Sequence, residues 1–538
     1  MRTNAPQRHS QVTVKSMASP LLVFFAALAI VLVTAGGCSG ITKGPVLLSV
    51  SADRAAIMWE TDAEGQGKLC YGKSPTLRKC VDSTAEKVQY KATTPKGQTI
   101  QKTAFIHKVW LEGLEPAQVY NYRVDGAGLQ SKTYEFHTAP SDSNEVTFVV
   151  YGDSRTNPDI HRKLIELMKT RNVDFVVHTG DLASRGNQYE QWGTQFFAPV
   201  KGLAETIAFY IAKGNHEGSG GNFEKLLIPP GQGNSFSFNY GPVHYLCLDN
   251  VSKDARSKEL LRLIAADAAS SRAQWKFVSY HVPSLNFGGH WSDWGYPDAL
   301  PSLAKAGVDF VITGHSHQYE RFWPVEPPAA TNGSHVTYIT AGGGGAPLYE
   351  IEPALYHASA RQIHHFCLFH IKGSKLTMDT IDVNGSIIDH LEITKNNGRP
   401  NKQYLWTAAP METIQLHQVL HSALTKTVPA KPKKNEPFTV SYKLSAPALN
   451  SPAKMTFKLR CEQGTYELGE PQTFTIPEEG GTIEVKLTAT PLADVQVPKD
   501  AQGRPKAISP ALWVDCHYEI GRVPEDMSKP VVVQPQKE

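Results

Sequence analysis

The chain has 538 residues, 41% of them hydrophobic and 20% charged, with a formal net charge of +3. That length exceeds one ordinary core and predicts about two to four domains. Arg2, Arg8 and Lys15 lie ahead of an expected cleavage point and no Asp or Glu does, so the mature chain is near neutral, which excludes nucleic-acid binding driven by bulk charge.

Residues 1–37 read as an export signal. The basic residues Arg2, Arg8 and Lys15 precede an apolar run from Leu21 to Val33, and Ala35-Gly36-Gly37-Cys38 follows. The run is short for a membrane span and right for a signal core. Small residues directly before Cys38 resemble a bacterial lipoprotein signal, in which Cys38 is lipidated and ties the chain to a membrane; Ala35 stands where Leu is usual. Simple cleavage and a retained anchor are the alternatives. Each puts the remainder outside the cytoplasm, in the periplasm or at the cell surface. Export permits disulfides, and three pairs are expected: Cys70–Cys80, Cys461–Cys516 and Cys247–Cys367, against the alternative of six buried thiols. No CxxC occurs, which argues against a thiolate metal site.

Residues 38–142 read as a β-sandwich. Short alternating strands are expected at 56–60, 68–72, 119–124 and 133–137, separated by turn residues. Trp59 in an early strand and the late run Val119-Tyr120-Asn121-Tyr122-Arg123-Val124 resemble a fibronectin type III-like module. Leu111-Glu112-Gly113-Leu114-Glu115-Pro116 ahead of Tyr120 resembles the N-terminal domain of purple acid phosphatases. No catalytic cluster occurs here, so a spacer or rim is the expected role. The polar stretch 138–143 reads as a linker.

From 143 to 395 the pattern becomes strand–helix–strand. Val146 to Tyr151 is a buried strand ending at Gly152-Asp153, and 158–171 has helical spacing. Asp174-Phe175-Val176-Val177-His178-Thr179-Gly180-Asp181 throws a carboxylate from the next strand end, the edge where ligands bind in open α/β sheets. Ile207 to Ala212 ends in Gly214-Asn215-His216-Glu217. Val243 to Asp249 is a further strand, a helix is expected around 258–269, Trp275 to Tyr280 ends at His281, and Val308 to Thr313 ends at Gly314-His315-Ser316-His317. Five times a metal-competent side chain follows an apolar strand. Carboxylate, amide and imidazole donors suit hard or borderline cations.

In this order, these motifs resemble the calcineurin-like metallophosphoesterase superfamily. Gly314-His315-Ser316-His317-Gln318-Tyr319-Glu320-Arg321, with the N-terminal sandwich, looks most like the purple acid phosphatase branch. The resemblance implies a four-layer α/β/β/α domain around two divalent or trivalent ions (Fe, Mn or Zn). Asp153, Asp181 and His317 would bind one, and Asp181, Asn215, His281 and His315 the other. A metal-bridging hydroxide would attack phosphorus, with the ions about 3.5–4 Å apart. His216 would serve the leaving group, or else cap its loop. Two residues depart from the family. Ser184 stands where purple acid phosphatases have a tyrosine, which removes the charge-transfer colour and the main support for ferric iron. Arg155 stands where most other members have a histidine, and arginine cannot ligate a cation. Arg155 is expected either to grip a phosphate oxygen as a fork or to stiffen its loop by a salt bridge. The aromatic, glycine-rich loop 286–296 would line the substrate mouth, where His290 either touches substrate or packs. Gly342 to Gly345 has no Lys-Ser/Thr after it, so it is no P-loop; a tight backbone passage near the centre is expected. Asn332-Gly333-Ser334 is a sequon by pattern only.

Residues 396–538 comprise a helix near 411–425, a basic linker at 430–434 and strands near 438–442, 454–459, 473–476, 482–487 and 512–518. A second β-sandwich of unreadable function is expected, with a mobile, polar tail from Pro524. The function that follows is an exported dinuclear phosphoesterase, with a monoesterase favoured. A phosphodiesterase of the same superfamily is the alternative, as is a non-catalytic binding or scaffold protein with a degenerate enzyme domain.

Overall fold

The computed structural model describes residues 40–538 except 95, 219, 232, 253–265, 291, 293, 295–298, 327–334, 352–353, 355, 401–408, 431, 450, 462, 497–498, 501–505, 509–510, 521–522 and 536–538. The export signal, Cys38, the sequon and most of the expected 258–269 helix lie outside the described residues, as do Trp291, Asp293, Gly295 and Tyr296 of the mouth loop. Among the described residues no helix is long and apolar enough to cross a membrane.

Two sheets stack at the centre. Glu145–Tyr151, Phe175–His178 and Ala208–Ile211 run parallel in an eleven-stranded sheet. Val243–Leu248, Trp275–Tyr280, Phe310–Thr313 and Thr337–Ala341 run parallel in a seven-stranded one. Side chains alternate between faces along a strand. Phe148, Val150, Phe175, Val177 and Tyr210 therefore meet Phe238, Tyr245, Phe277 and Phe310 of the facing sheet in one core. Phe148 sits edge-on to Phe277 with ring centroids 5.1 Å apart. The other face, Val149, Tyr151, Val176 and Phe209, covers Leu164, Ile165 and Met168 of the helix Pro158–Met168. That helix starts where Asn157 caps the N–H of Ile160 and Pro158 fills the first turn. Behind the second sheet, Leu300 and Leu303 of the helix Ala299–Lys305 pack on Leu246, Val278 and Val311. The layers are α/β/β/α, as expected.

The N-terminal module is a β-sandwich, with the fully buried Trp59 stacked on His107 at 4.9 Å. It is not a detached domain. Its first strand, Ile41–Leu48, adds in parallel to Ala208–Ile211 with Leu48 opposite Phe209, so one sandwich sheet continues into the eleven-stranded central sheet. This strand, Glu86–Thr93 and the fourteen-residue strand Thr99–Glu112 escape the sequence reading. Exposed Lys and Gln interrupt the hydrophobic pattern of the last two, and Gly44-Pro45 interrupts the first.

The C-terminal module is likewise β-rich, with Phe438–Ala446 on Gly481–Pro491 in one sheet and Ala453–Cys461 on Leu512–Ile520 in another. The helix Met411–Leu424 bridges two cores, giving Met411 and Ile414 to the second-sheet side and Leu416, Leu420 and Leu424 to the C-terminal sandwich. The tail is not the mobile segment expected. Val523–Pro530 pairs with Leu512–Ile520, and Val533–Pro535 with Val428–Ala430. Met527, Val531 and Val533 are buried, and their burial offsets the polar composition around them.

One of the three expected disulfides forms. Cys70 and Cys80 are directly opposite on neighbouring strands and are bonded. Cys461 and Cys516 are both free. They lie on paired strands, but Cys461 faces Leu512 and Cys516 faces Phe457, so the register keeps them apart. Cys247 and Cys367 are buried and free, on strands of the two facing sheets.

Candidate metal centre

Asp153, Asp181, Asn215, His281, His315 and His317 each lie within four residues after a strand of the two stacked sheets, and the fold brings all six together. Asp153, Asp181 and His315 adopt φ of 56°, 64° and 68°, a region that side chains other than glycine's rarely occupy and that clusters at functional sites. Main-chain bonds hold these turns in place. Asp153 N–H donates to Gly180 O at 2.9 Å, and Gly314 N–H to His281 O at 3.1 Å. Asp153 Oδ2 accepts the N–H of His315 at 2.9 Å. The glycine run passes tight behind them, as expected: a Cβ on Gly342 would lie 2.1 Å from Ser316 O, and one on Gly344 2.4 Å from Gly152 O.

Asp181 divides the centre, with one oxygen facing each way. On one side, Oδ1 lies 3.3 Å from His281 Nε2. Asn215 Oδ1 is 2.8 Å from that nitrogen and 2.9 Å from His315 Nδ1. His281 Nδ1 donates to Thr179 O at 2.9 Å, which leaves the Nε2 lone pair among acceptors. A proton or a cation must sit there to make the cluster tolerable. Two imidazoles, one amide oxygen and one carboxylate are a donor set that suits a divalent ion, so these residues fit one. Burial opposes a charge on His281, but Asp181 and Asp153 beside it outweigh this and raise its pKa. Burial likewise works against the Asp181 charge, yet His281, His216 and Arg155 hold its carboxyl down at about 2.

On the other side, Asp153, Asp181 and His317 present ligand-type atoms within 4.8 Å of one another, and Asp153 Oδ1 is buried without a hydrogen-bond partner. Here Arg155 intrudes. Its Nε donates to Asp181 Oδ2 at 3.1 Å, and its Nη2 lies 3.2 Å from His317 Nε2. Of the two roles read for Arg155, the structure contains the salt bridge. Ser184 turns away, its hydroxyl 3.1 Å from Thr156 Oγ1 and 3.0 Å from Gln195 Oε1.

His216 is half-buried at the rim. Its Nδ1 donates to Ser184 O at 2.6 Å, and its Nε2 stands 3.7 Å from Asp181 Oδ2. His290 is exposed and stacks on His315 at 4.8 Å, with Tyr349 edge-on at 4.9 Å. The loop beneath it is anchored by Asn286 Nδ2, which donates to Gly288 O and His290 O. Phe287 packs on His417 of the bridging helix at 4.8 Å, so the C-terminal module reaches the back of the mouth loop.

Two positioning residues were missed. Buried Glu217 accepts the N–H groups of Asp181, Leu182, Ala183 and Gly214 at 2.8–3.3 Å. Burial, then the Asp181 charge, pushes its carboxyl up to about 7. Asn250 Oδ1 accepts the N–H groups of His281 and Val282 at 3.1 Å. Asn250 lies two residues after the strand Val243–Leu248, so the rule that found the ligands points at it too, whereas Glu217 lies six after Ala208–Ile211; only the fold separates a clamp from a ligand.

Comparison with known proteins agrees with this geometry. Residues 146–319 match the calcineurin-like phosphoesterase family, and residues 45–138 match the purple acid phosphatase N-terminal domain. The chain thus carries a calcineurin-like phosphoesterase domain and a purple acid phosphatase N-terminal domain, and is a distant homologue of the purple acid phosphatases. It is 28% identical over 308 residues to probable inactive purple acid phosphatase 1 of Arabidopsis thaliana, covering 46% of this chain and 50% of that protein. It is 27% identical over 325 residues to purple acid phosphatase 18 of the same plant, covering 56% and 70%. Acid phosphatase type 7 of Mus musculus is 24% identical over 44% of this chain and 61% of its own length. The chain thus spans half to 70% of these relatives. In fold it is similar to purple acid phosphatase PPD1 from yellow lupin, at TM-score 0.56 and 19% identity over 67% of this chain and 75% of that one. It is also similar to PhoD, at TM-score 0.51 and 13% identity over 67% and 91%.

Proposed function

We propose that this chain, a distant homologue of the purple acid phosphatases, is a metal-dependent hydrolase of phosphate esters, a monoesterase in preference to a diesterase. The observation that carries the reading is the lone pair of His281 Nε2 held among Asn215 Oδ1 and Asp181 Oδ1 at 2.8 and 3.3 Å. That cluster is built to be completed by a cation. A divalent or trivalent ion held by Asp181, Asn215, His281 and His315 supplies Lewis acidity toward phosphoryl oxygens and water.

The chain's own residues do the rest. Glu217 fixes the backbone on both flanks of the centre, so the ligands need no rearrangement on binding. His216 is oriented by its Nδ1 bond to Ser184 O, and its Nε2 faces the site as the group that gives a proton to the leaving alkoxide. His290 lines the approach and offers an N–H group to a phosphate.

Names such as probable inactive purple acid phosphatase 1 favour a second reading, a binding protein without turnover. Against it, Asp181 Oδ1 and Asn215 Oδ1 both face His281 Nε2, at 3.3 and 2.8 Å. The Cys70–Cys80 disulfide supports export, because such bonds persist in oxidising compartments. Lipidation at Cys38 rests on the N-terminal pattern alone. Turnover of nitrophenyl phosphate mono- and diesters by the full chain, with Mn, Zn or Fe and after chelation, tests the activity. No turnover with any of these ions would leave the binding reading.

A further inference from the structure

Arg155 occupies the space a first ion would be expected to take. Its Nε–H and Nη2–H are directed at Asp181 Oδ2 and His317 Nε2, at 3.1 and 3.2 Å. His317 Nδ1 donates to Pro347 O at 2.7 Å, so its Nε2 carries the lone pair and accepts from the guanidinium. The one lone pair of His317 Nε2 is therefore taken by an N–H group that cannot be deprotonated in a protein, and Asp181 Oδ2 has a second such N–H against it. Asp153 Oδ1 is left open, 3.5 Å from His317 Nε2, and without the imidazole, two carboxylate oxygens facing a guanidinium are too poor a set to hold an ion.

The guanidinium is also held from outside. Its side chain is only 11% exposed. Nη1 donates to Thr156 Oγ1 at 3.3 Å, and His317, the acceptor of Nη2, is itself fixed by Tyr349, which stacks on it with ring centroids 4.3 Å apart and planes at 14°. Charge points the same way. With two carboxylates and one guanidinium in place, a single divalent ion leaves one net positive charge in this largely buried pocket, whereas a second would leave three.

We infer that this centre is built for one ion, not two. Asp181 Oδ1, Asn215, His281 and His315 hold that ion, and Arg155 stands permanently as the second positive charge. The inference rests on the metallophosphoesterase reading of the site and deepens it. Losing a first-position ion and the tyrosine replaced by Ser184 leaves a set of two imidazoles, an amide and a single carboxylate, which selects a divalent over a ferric ion.

The test is a count of bound ions. Full-length protein stripped by chelator, saturated with Mn(II) and freed of excess should hold one Mn per chain and give the EPR spectrum of an isolated Mn(II). Arg155→His, which puts an imidazole where the guanidinium was, should hold two, with a spin-coupled spectrum. Two coupled ions in the wild type would overturn the inference and leave the phosphoesterase reading standing. None in the wild type would overturn both. A count of one in Arg155→His would show that the guanidinium is not what excludes the second ion. If that variant does not fold, the wild-type count and spectrum decide alone.

Discussion

Glu217 Oε2 accepts the backbone N–H of Asp181 at 2.8 Å, so the dividing carboxylate of the centre is held by a second carboxylate buried behind it. The same residue holds Leu182, Ala183 and Gly214. Glu217→Ala strands four buried N–H groups and should destabilise the protein by about 3–5 kcal/mol, measured by urea denaturation. Mn affinity should fall with it, because Asp181 and Asn215 lose their common support. A loss below about 1 kcal/mol would mean that the loops hold themselves.

His216 should act on chemistry rather than on the ion. His216→Ala is expected to lower kcat by about 10²–10⁴-fold with an unchanged metal count. The loss should be larger for an alkyl phosphate, whose leaving group needs a proton, than for a nitrophenyl phosphate. Equal losses on both substrates would assign His216 to loop capping.

Much of this is legible in the sequence. All six ligand-type residues follow apolar strands, and the local rule of strand, turn and donor found them because each signal lies within a few residues. What the sequence did not carry was relative placement. Nothing near Arg155 indicates that it would turn toward His317, 162 positions away. The Cys461–Cys516 pairing failed because a sheet register, not proximity in sequence, decides which side chains face each other. Tail composition concealed a strand for a related reason: three buried apolar residues outweigh a polar average when a free edge waits beside them.

Acid should weaken this fold. Burial pushes the pKa of His161 down to about 4, against its bond to Gln195 O, and does the same to His365. The unfolded chain takes up these protons near pH 6.5, whereas the folded one resists until about pH 4. The contribution of the two histidines is therefore complete above pH 6.5 and is lost as pH falls toward 4, by about 3 kcal/mol for each, which outweighs the opposite contribution of the raised carboxyl of Glu217. Denaturation midpoints at pH 7.5 and 4.5 measure this, and His161→Gln should flatten the slope. A midpoint that does not move would refute the assignment.

The Cys70–Cys80 bond closes a loop with a sequence separation of 10 in the N-terminal sandwich. Replacing both with serine should cost about 2–3 kcal/mol, seen as a lower thermal midpoint. Metal content and kcat should be unaffected, since the bond lies outside the centre.

The most direct measurement is hydrolysis of nitrophenyl phosphate by the purified full-length chain, assayed as isolated, after chelation and after Mn(II) is restored, with Asp181→Asn alongside. The account predicts turnover that chelation abolishes and Mn(II) recovers in the wild type, and an inert variant. Turnover that survives chelation, or an Asp181→Asn protein as active as the wild type, would contradict it.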